Sequence, residues 1–190
     1  MATYYVAANA DDAMLNSASG WTDATYSYVG HSGAPPVPSY ATLLRIALSI
    51  PAGSTIDSAV LAFLSLGGAG TVSVPIQAVN AKSCGAFPIA TPVSLMVPSV
   101  TWNQAALGAG QTYTSPDISA VVQGWLDGFT HDDGDYLGLD VNGIGATGQN
   151  MLAVSTKNGS NPPAVTITWT PPAAGSITPV HLFQTVQGGL

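Results

Sequence analysis

Residues Ser39 to Leu66 restrict what this chain can become more than any other stretch. Tyr40, Leu44, Ile46, Leu48 and Ile50 fall on one side of a two-residue period, and Ala41, Leu43, Arg45, Ala47 and Ser49 on the other. Because a β-strand sends alternate side chains to opposite faces, this half reads as a half-buried antiparallel strand. Ala59 to Leu66 is apolar on both sides of the same period, which predicts a central strand covered on both faces. Pro51 fixes one φ and Gly53 permits a positive one, so Pro51-Ala52-Gly53 predicts a tight turn joining the two strands.

Composition agrees with a β architecture. Only 7% of the 190 residues are charged, while 46% are hydrophobic, with 21 Gly and 14 Pro. A chain this poor in ions and rich in turn formers favours an all-β sandwich over helices or disorder. Its surface must be covered by Thr, Ser, Asn, Gln and Gly. Glu is absent, and Arg45, Lys82 and Lys157 are the basic residues. At net charge −7, three scattered cations cannot follow a phosphate backbone, which argues against nucleic acid as a partner. Anionic membrane surfaces are disfavoured for the same reason, and Gly, Pro and Ser interrupt every apolar run before membrane-spanning length. Cys84 is single, so no intrachain disulfide forms; without a neighbouring His or Cys it reads as a small buried thiol.

Further strands are predicted at 3–9, 25–30, 71–80, 136–141, 151–156 and 164–170. In the last, Val165, Ile167 and Trp169 oppose Thr166, Thr168 and Thr170. One segment follows a different period. Ile118, Val121, Val122, Trp125, Leu126 and Phe129 fall at i, i+3, i+4, i+7, i+8 and i+11, a helical stripe. Pro116 and Asp117 suit its start, with Ser119 as a rival cap, and Gly128 suits its end. A short helix near 117–129 is therefore predicted across one end of the sandwich, held by packing because Gly124 costs about 1 kcal/mol against Ala. After Trp169, Thr-Pro-Pro-Ala-Ala-Gly divides a domain at 1–170 from an apolar arm at 171–190. The arm's Ile177, Val180, Leu182, Phe183 and Val186 are expected to dock, either on the parent sandwich as an edge strand or on a neighbouring subunit.

The order LLRIALSIPAGSTIDSAVLAF, SVTWN, DISAVVQGWLDG and NPPAVTITW resembles the DNRLRE domains, also classed with carbohydrate-binding module family 96 and with TGF-β-propeptide-like jelly rolls. Their pattern is an Arg-containing strand, an "IPAG" hairpin, a "tW" strand, a "D.t..vq.W" helix and a closing "nPP.L.v.y" strand, covering about Thr3 to Thr170 here. The resemblance implies a jelly-roll β-sandwich serving as a non-catalytic extracellular or surface module, with Arg45 structural. The start MATYYVAANADD lacks the basic and apolar regions of a secretory signal. In this respect the chain looks like the small virion proteins of tailed phages, which leave the host cytoplasm inside the particle.

Several residues are candidates for chemistry, each with a plainer structural reading. Asp132, Asp133 and Asp135, with Asp140 nearby, form an oxygen-rich turn that suits calcium or is simply solvated; Asp11 and Asp12 are a thinner second candidate. Arg45, on a strand face with Leu43 and Ala47, calls for an acid or backbone carbonyls as partners. Trp21, Tyr26 and Tyr28 offer flat faces on which a sugar can stack, with Trp21 the best placed for exposure. Trp102, Trp125 and Trp169 fall where rings fill a core. No nucleophile elbow, zinc-protease helix or P-loop is present, and there is no Glu for glycosidase chemistry. His31, His131 and His181 lie far apart. The expected function is non-enzymatic: a capsid-decorating or tail-associated virion protein, homo-oligomeric with a trimer as the working guess. The alternatives are a polysaccharide-binding module or adhesin, and a cell-surface or filament subunit.

Overall fold

A computed structural model describes residues 1–22, 26–31, 39–90, 92–143, 151–157 and 161–173. Its strands are β1 (Ala2–Tyr5), β2 (Asp12–Asn16), β3 (Gly20–Thr22), β4 (Tyr26–His31), β5 (Ser39–Ala47), β6 (Thr55–Ala69), β7 (Thr71–Ala78), β8 (Val100–Ala105) and β9 (Thr112–Thr114). The helix α1 (Ser119–Gly128) follows, then β10 (Tyr136–Asn142), β11 (Met151–Ser155) and β12 (Ala164–Thr170). Every pairing is antiparallel, and the strands curl into two packed layers, an all-β jelly-roll sandwich with one helix. The first layer is ordered β1-β12-β6-β9; the second is β11-β4-β5-β10-β7-β8, with β2 and β3 added on β5. β6 belongs to both, since its first ten residues pair with β12 and β9 and its far end with β11.

The two-residue period decides what lies between the layers. Leu44 and Ile46 face inward beside Leu139 and Leu137, meeting Leu61, Phe63, Val165 and Ile167 from the other layer. Arg45 and Leu43 turn the other way. Trp102 stacks on Phe63 at 6.2 Å and its indole N–H donates to the Thr114 carbonyl, so an amphipathic ring is buried without an orphan donor.

The structure corrects three expectations. First, Pro51-Ala52-Gly53 is a tight turn, closed by the Ser54 N–H on the Pro51 carbonyl with Gly53 at φ +75°, but it does not make a hairpin. β5 pairs with β2, β4 and β10, and β6 with β9, β11 and β12, so the turn carries the chain between layers. The end of β5 is bonded elsewhere: Leu48 exchanges backbone bonds with Asp135 and Gly134. Second, among the described residues β6 is central but fully covered on one face only. Ala59, Leu61 and Phe63 are buried, whereas Val60, Ala62 and Leu64 are half-buried and Leu66 is 42% exposed. Third, β2, β3 and β9 arise from short segments with little apolar alternation, and 3–9 is a strand only to Tyr5 before a 3-10 turn at Asn9–Asp11.

The helix begins later than its sequence signals place it. Asp117 lies outside it, accepting the N–H of Ser119 and also that of Ala59 on β6, so the carboxylate ties the helix entrance to the first layer. α1 packs on β6 and β7, closing one end of the sandwich with Val121, Val122 and Trp125; Phe129 is half-buried beside them. Gly124 earns its place by contact: an added Cβ would come 3.1 Å from Pro98 Cδ and 3.3 Å from the Val97 carbonyl. Beyond the domain boundary expected at 170, the described residues run to Ala173. The arm residues Ile177, Val180, Leu182, Phe183 and Val186 lie outside the described residues.

Candidate functional site

The two layers present different outer faces. Over the second, residues 79–90 and 92–95 and the β2–β3 hairpin form a cover, burying a second cluster of Ala13, Ala41, Leu43, Val79, Cys84 and Phe87. Burial pushes the Cys84 thiol up to about 11, which leaves it a packed, unreactive group near neutral pH. Arg45 enters this cover from β5. Its guanidinium lies 3.1 Å from Asp11 and 3.6 Å from the Tyr136 ring centre, and the side chain is largely buried. The ion pair holds the turn at Asn9–Asp11 against the strand, which is a structural arrangement.

Trp21 is half-buried under the same cover. Its indole N–H donates to the Ile89 carbonyl at 3.0 Å, and its ring stacks on Phe87 at 5.5 Å. The pair borders an open hollow of about 370 Å³ with Asn9, Asp12 and Thr22 as its polar edge and Ala10, Ala13 and Pro88 as apolar wall. The Asp12 carboxylate accepts the Lys157 N–H. Tyr26 and Tyr28 do not join this hollow. They form a separate series of ring contacts with Tyr40, each step 5.2 Å. Sequence reasoning grouped the three aromatics by nearness in the chain, but β3 and β4 follow different partners. Of the core-facing tryptophans, Trp102 and Trp125 are buried, and Trp169 is half-buried at the rim beside Tyr4.

The acidic turn proposed for calcium is built as an ion-paired corner. Lys82 bonds Asp132, and Asp135 accepts the Asp132 N–H at 2.8 Å while facing Lys82 and His131. The Asp132 amide, helped by Lys82, holds the Asp135 carboxyl below its ordinary range, and the bond to Asp132 raises the Lys82 ammonium. Asp132, Asp133 and Asp135 do not converge, and among the described residues no group of three His, Cys, Asp or Glu is placed to hold a metal. Asp140, read as part of that cluster, is elsewhere. It sits on β10 opposite Leu43 and Gln77, buried, and loss of hydration pushes its carboxyl up to about 7. Among the described residues no helix is long and apolar enough to cross a membrane.

The first layer's outer face has no cover among the described residues, and its extent is not evident from the sequence. Thr166 and Thr168 on β12, Val60, Ala62 and Leu64 on β6, and Thr112 and Thr114 on β9 share it by register. Thr3 and Tyr5 extend it onto β1, with Tyr5 58% exposed. None of these side chains carries a formal charge, on a chain of net charge −7. Asp57 accepts the Thr170 hydroxyl at 3.0 Å, beyond these positions at the end of β12. Hydroxyl pairs such as Thr3–Thr166 and Ser58–Thr168 bridge neighbouring strands and level the surface. The signal was the Thr alternation in β12, which marks an outward face without revealing its width. Scans against protein-family models and against curated proteins find no match to this chain.

Proposed function

We propose that this chain is a non-enzymatic building block of a virion, a capsid-decorating or tail-associated subunit of a tailed phage, that docks onto other subunits through the outer face of its first layer. The observation that carries the reading is that uncharged sheet face. A surface of threonines flanking an aliphatic row sheds water cheaply and leaves no ion to desolvate, the chemistry of a docking interface. An acidic protein is repelled by other acidic subunits except where its charge is absent. The sequence resemblance to surface jelly rolls and the apolar arm beyond Ala173 point the same way. Placing one charge in the face tests it: Ala62→Lys and Thr166→Asp are expected to lower incorporation into particles at least about tenfold while the melting temperature of the free protein changes little. Unchanged incorporation of both variants removes this face from the docking reading.

A second reading, polysaccharide binding, rests on the Trp21 hollow. Stacked Trp21 and Phe87 beside Asn9, Asp12 and Thr22 put an apolar wall next to orienting polar groups, as sugar recognition requires. Trp21→Ala is then expected to abolish retardation in polysaccharide affinity gels. Wild-type protein that migrates freely through every polymer sinks this reading.

A further inference from the structure

The first layer ends at β1, and among the described residues the hydrogen bonding of that strand is open on one side. Val6 N–H donates to the Pro163 carbonyl at 3.0 Å, one position beyond the Tyr5–Ala164 pair. In an antiparallel ladder, bonded and non-bonded pairs alternate, so Tyr4–Val165 and Ala2–Ile167 exchange the bonds to β12. The N–H and C=O groups of Thr3 and Tyr5 therefore point away from the sheet. Among the described residues β12 is the only strand partner of β1.

Native sheets blunt such an edge with charge, proline, a bulge or a covering group. Residues 2–5, Ala-Thr-Tyr-Tyr, have none of the first three. The far edge of the sandwich differs. On β8 the Ala105 carbonyl, one of its outward groups by the same alternation, accepts the side-chain amide of Gln104 at 2.8 Å. One outward carbonyl of β8 is thus occupied, whereas the outward groups of Thr3 and Tyr5 on β1 meet no strand among the described residues.

We propose that a second copy of this chain adds to β1, antiparallel and across a two-fold axis at Tyr4. In that register Thr3 of each copy faces Tyr5 of the other, and their outward groups exchange four N–H···O bonds. The occupant is a second copy because this register is self-complementary, as a two-fold interface must be. It also brings no formally charged side chain opposite another, which two chains of net charge −7 otherwise resist. The pairing joins two four-stranded layers into one of eight strands, with an uncharged face roughly 38 Å wide at strand spacing. This rests on the docking reading for its purpose, but its test uses purified protein and leaves particle incorporation out.

Sedimentation velocity on the full chain should find a species of twice the 19.2 kDa chain mass at high concentration. Tyr5→Pro removes two of the four donors without touching the ladder to β12 and should weaken the dimer at least about tenfold; Tyr5→Phe should leave it intact. Thr3→Pro removes the other two donors and serves if Tyr5→Pro fails to fold. In the wild type, the amides of Thr3 and Tyr5 should exchange more slowly as concentration rises. A chain monomeric at all concentrations, a trimer, or a dimer indifferent to both proline variants overturns the proposal. So does a full chain that stays monomeric while one truncated after Ala173 dimerises, which would give the edge to the arm.

Discussion

Replacing Trp125 with alanine is expected to lower the unfolding free energy by about 3–5 kcal/mol, the range for losing a fully buried large aromatic. Trp125 is 1% exposed and sits where α1 closes the end of the sandwich. Its ring lies 3.8 Å from that of His131, and its indole N–H donates to the Ala81 carbonyl at 2.9 Å. Ala81 packs against the second cluster, so one side chain links the main core to the cover over the second layer. The alanine variant leaves both a cavity and an unpaired carbonyl, and neither can be filled by a helix already pressed onto Val97 and Pro98 at Gly124. Urea titration of the two proteins measures the difference. A loss under about 1 kcal/mol would show that the site collapses around the smaller residue. Trp169→Ala, at the half-buried rim, should cost less than Trp125→Ala.

The second large effect depends on pH. Among the described residues Asp140 Oδ1 has no hydrogen-bond partner, and Oδ2 accepts the Asn142 amide, 3.1 Å away. Its folded carboxyl titrates near 7, against 3.8 for an ordinary aspartate. Below about pH 4 both folded and unfolded chains carry the proton, and the full stability is present. Between about 4 and about 7 the unfolded chain releases the proton and the folded chain keeps it, so stability falls as pH rises. Above about 7 both are ionised and the deficit stays constant. Asp140→Asn keeps the shape and the acceptor for Asn142 but removes the charge. It should stabilise the protein at pH 8 by an amount on the order of 2–4 kcal/mol and change little at pH 4. A stability difference that is flat across this range would mean that Asp140 ionises normally in the fold.

Much of the β architecture was legible because alternation is a local property. Val165, Ile167 and Trp169 against Thr166, Thr168 and Thr170 predict an inward and an outward face, and β12 has both. The helical stripe from Ile118 to Phe129 was equally readable, since six apolar groups at that spacing lie on one side of no other regular structure. The candidate sites were less so. Asp132, Asp133 and Asp135 are adjacent in the chain, yet Lys82, fifty positions away, takes the place a cation would need. The polar neighbours of Trp21 point it to the surface, but residues 87–89 bring the Phe87 ring and the Ile89 carbonyl onto it. Nothing near Trp21 in sequence announces that cover.

Sequence alone determined which segments extend, which one coils, and which side chains each strand sends to a common face. These follow from the period of apolar groups and from the fixed φ of Pro51 beside the permissive φ of Gly53. Tertiary structure decided which strands meet and therefore what each second face touches. It split β5 and β6 between layers and covered one outer face with residues 79–90 and 92–95. Among the described residues nothing covers the face that includes Val60, Ala62 and Leu64, and no strand meets the outward groups of Thr3 and Tyr5. The reason is physical: a residue's own period selects a direction, whereas burial depends on whatever distant chain arrives in that direction.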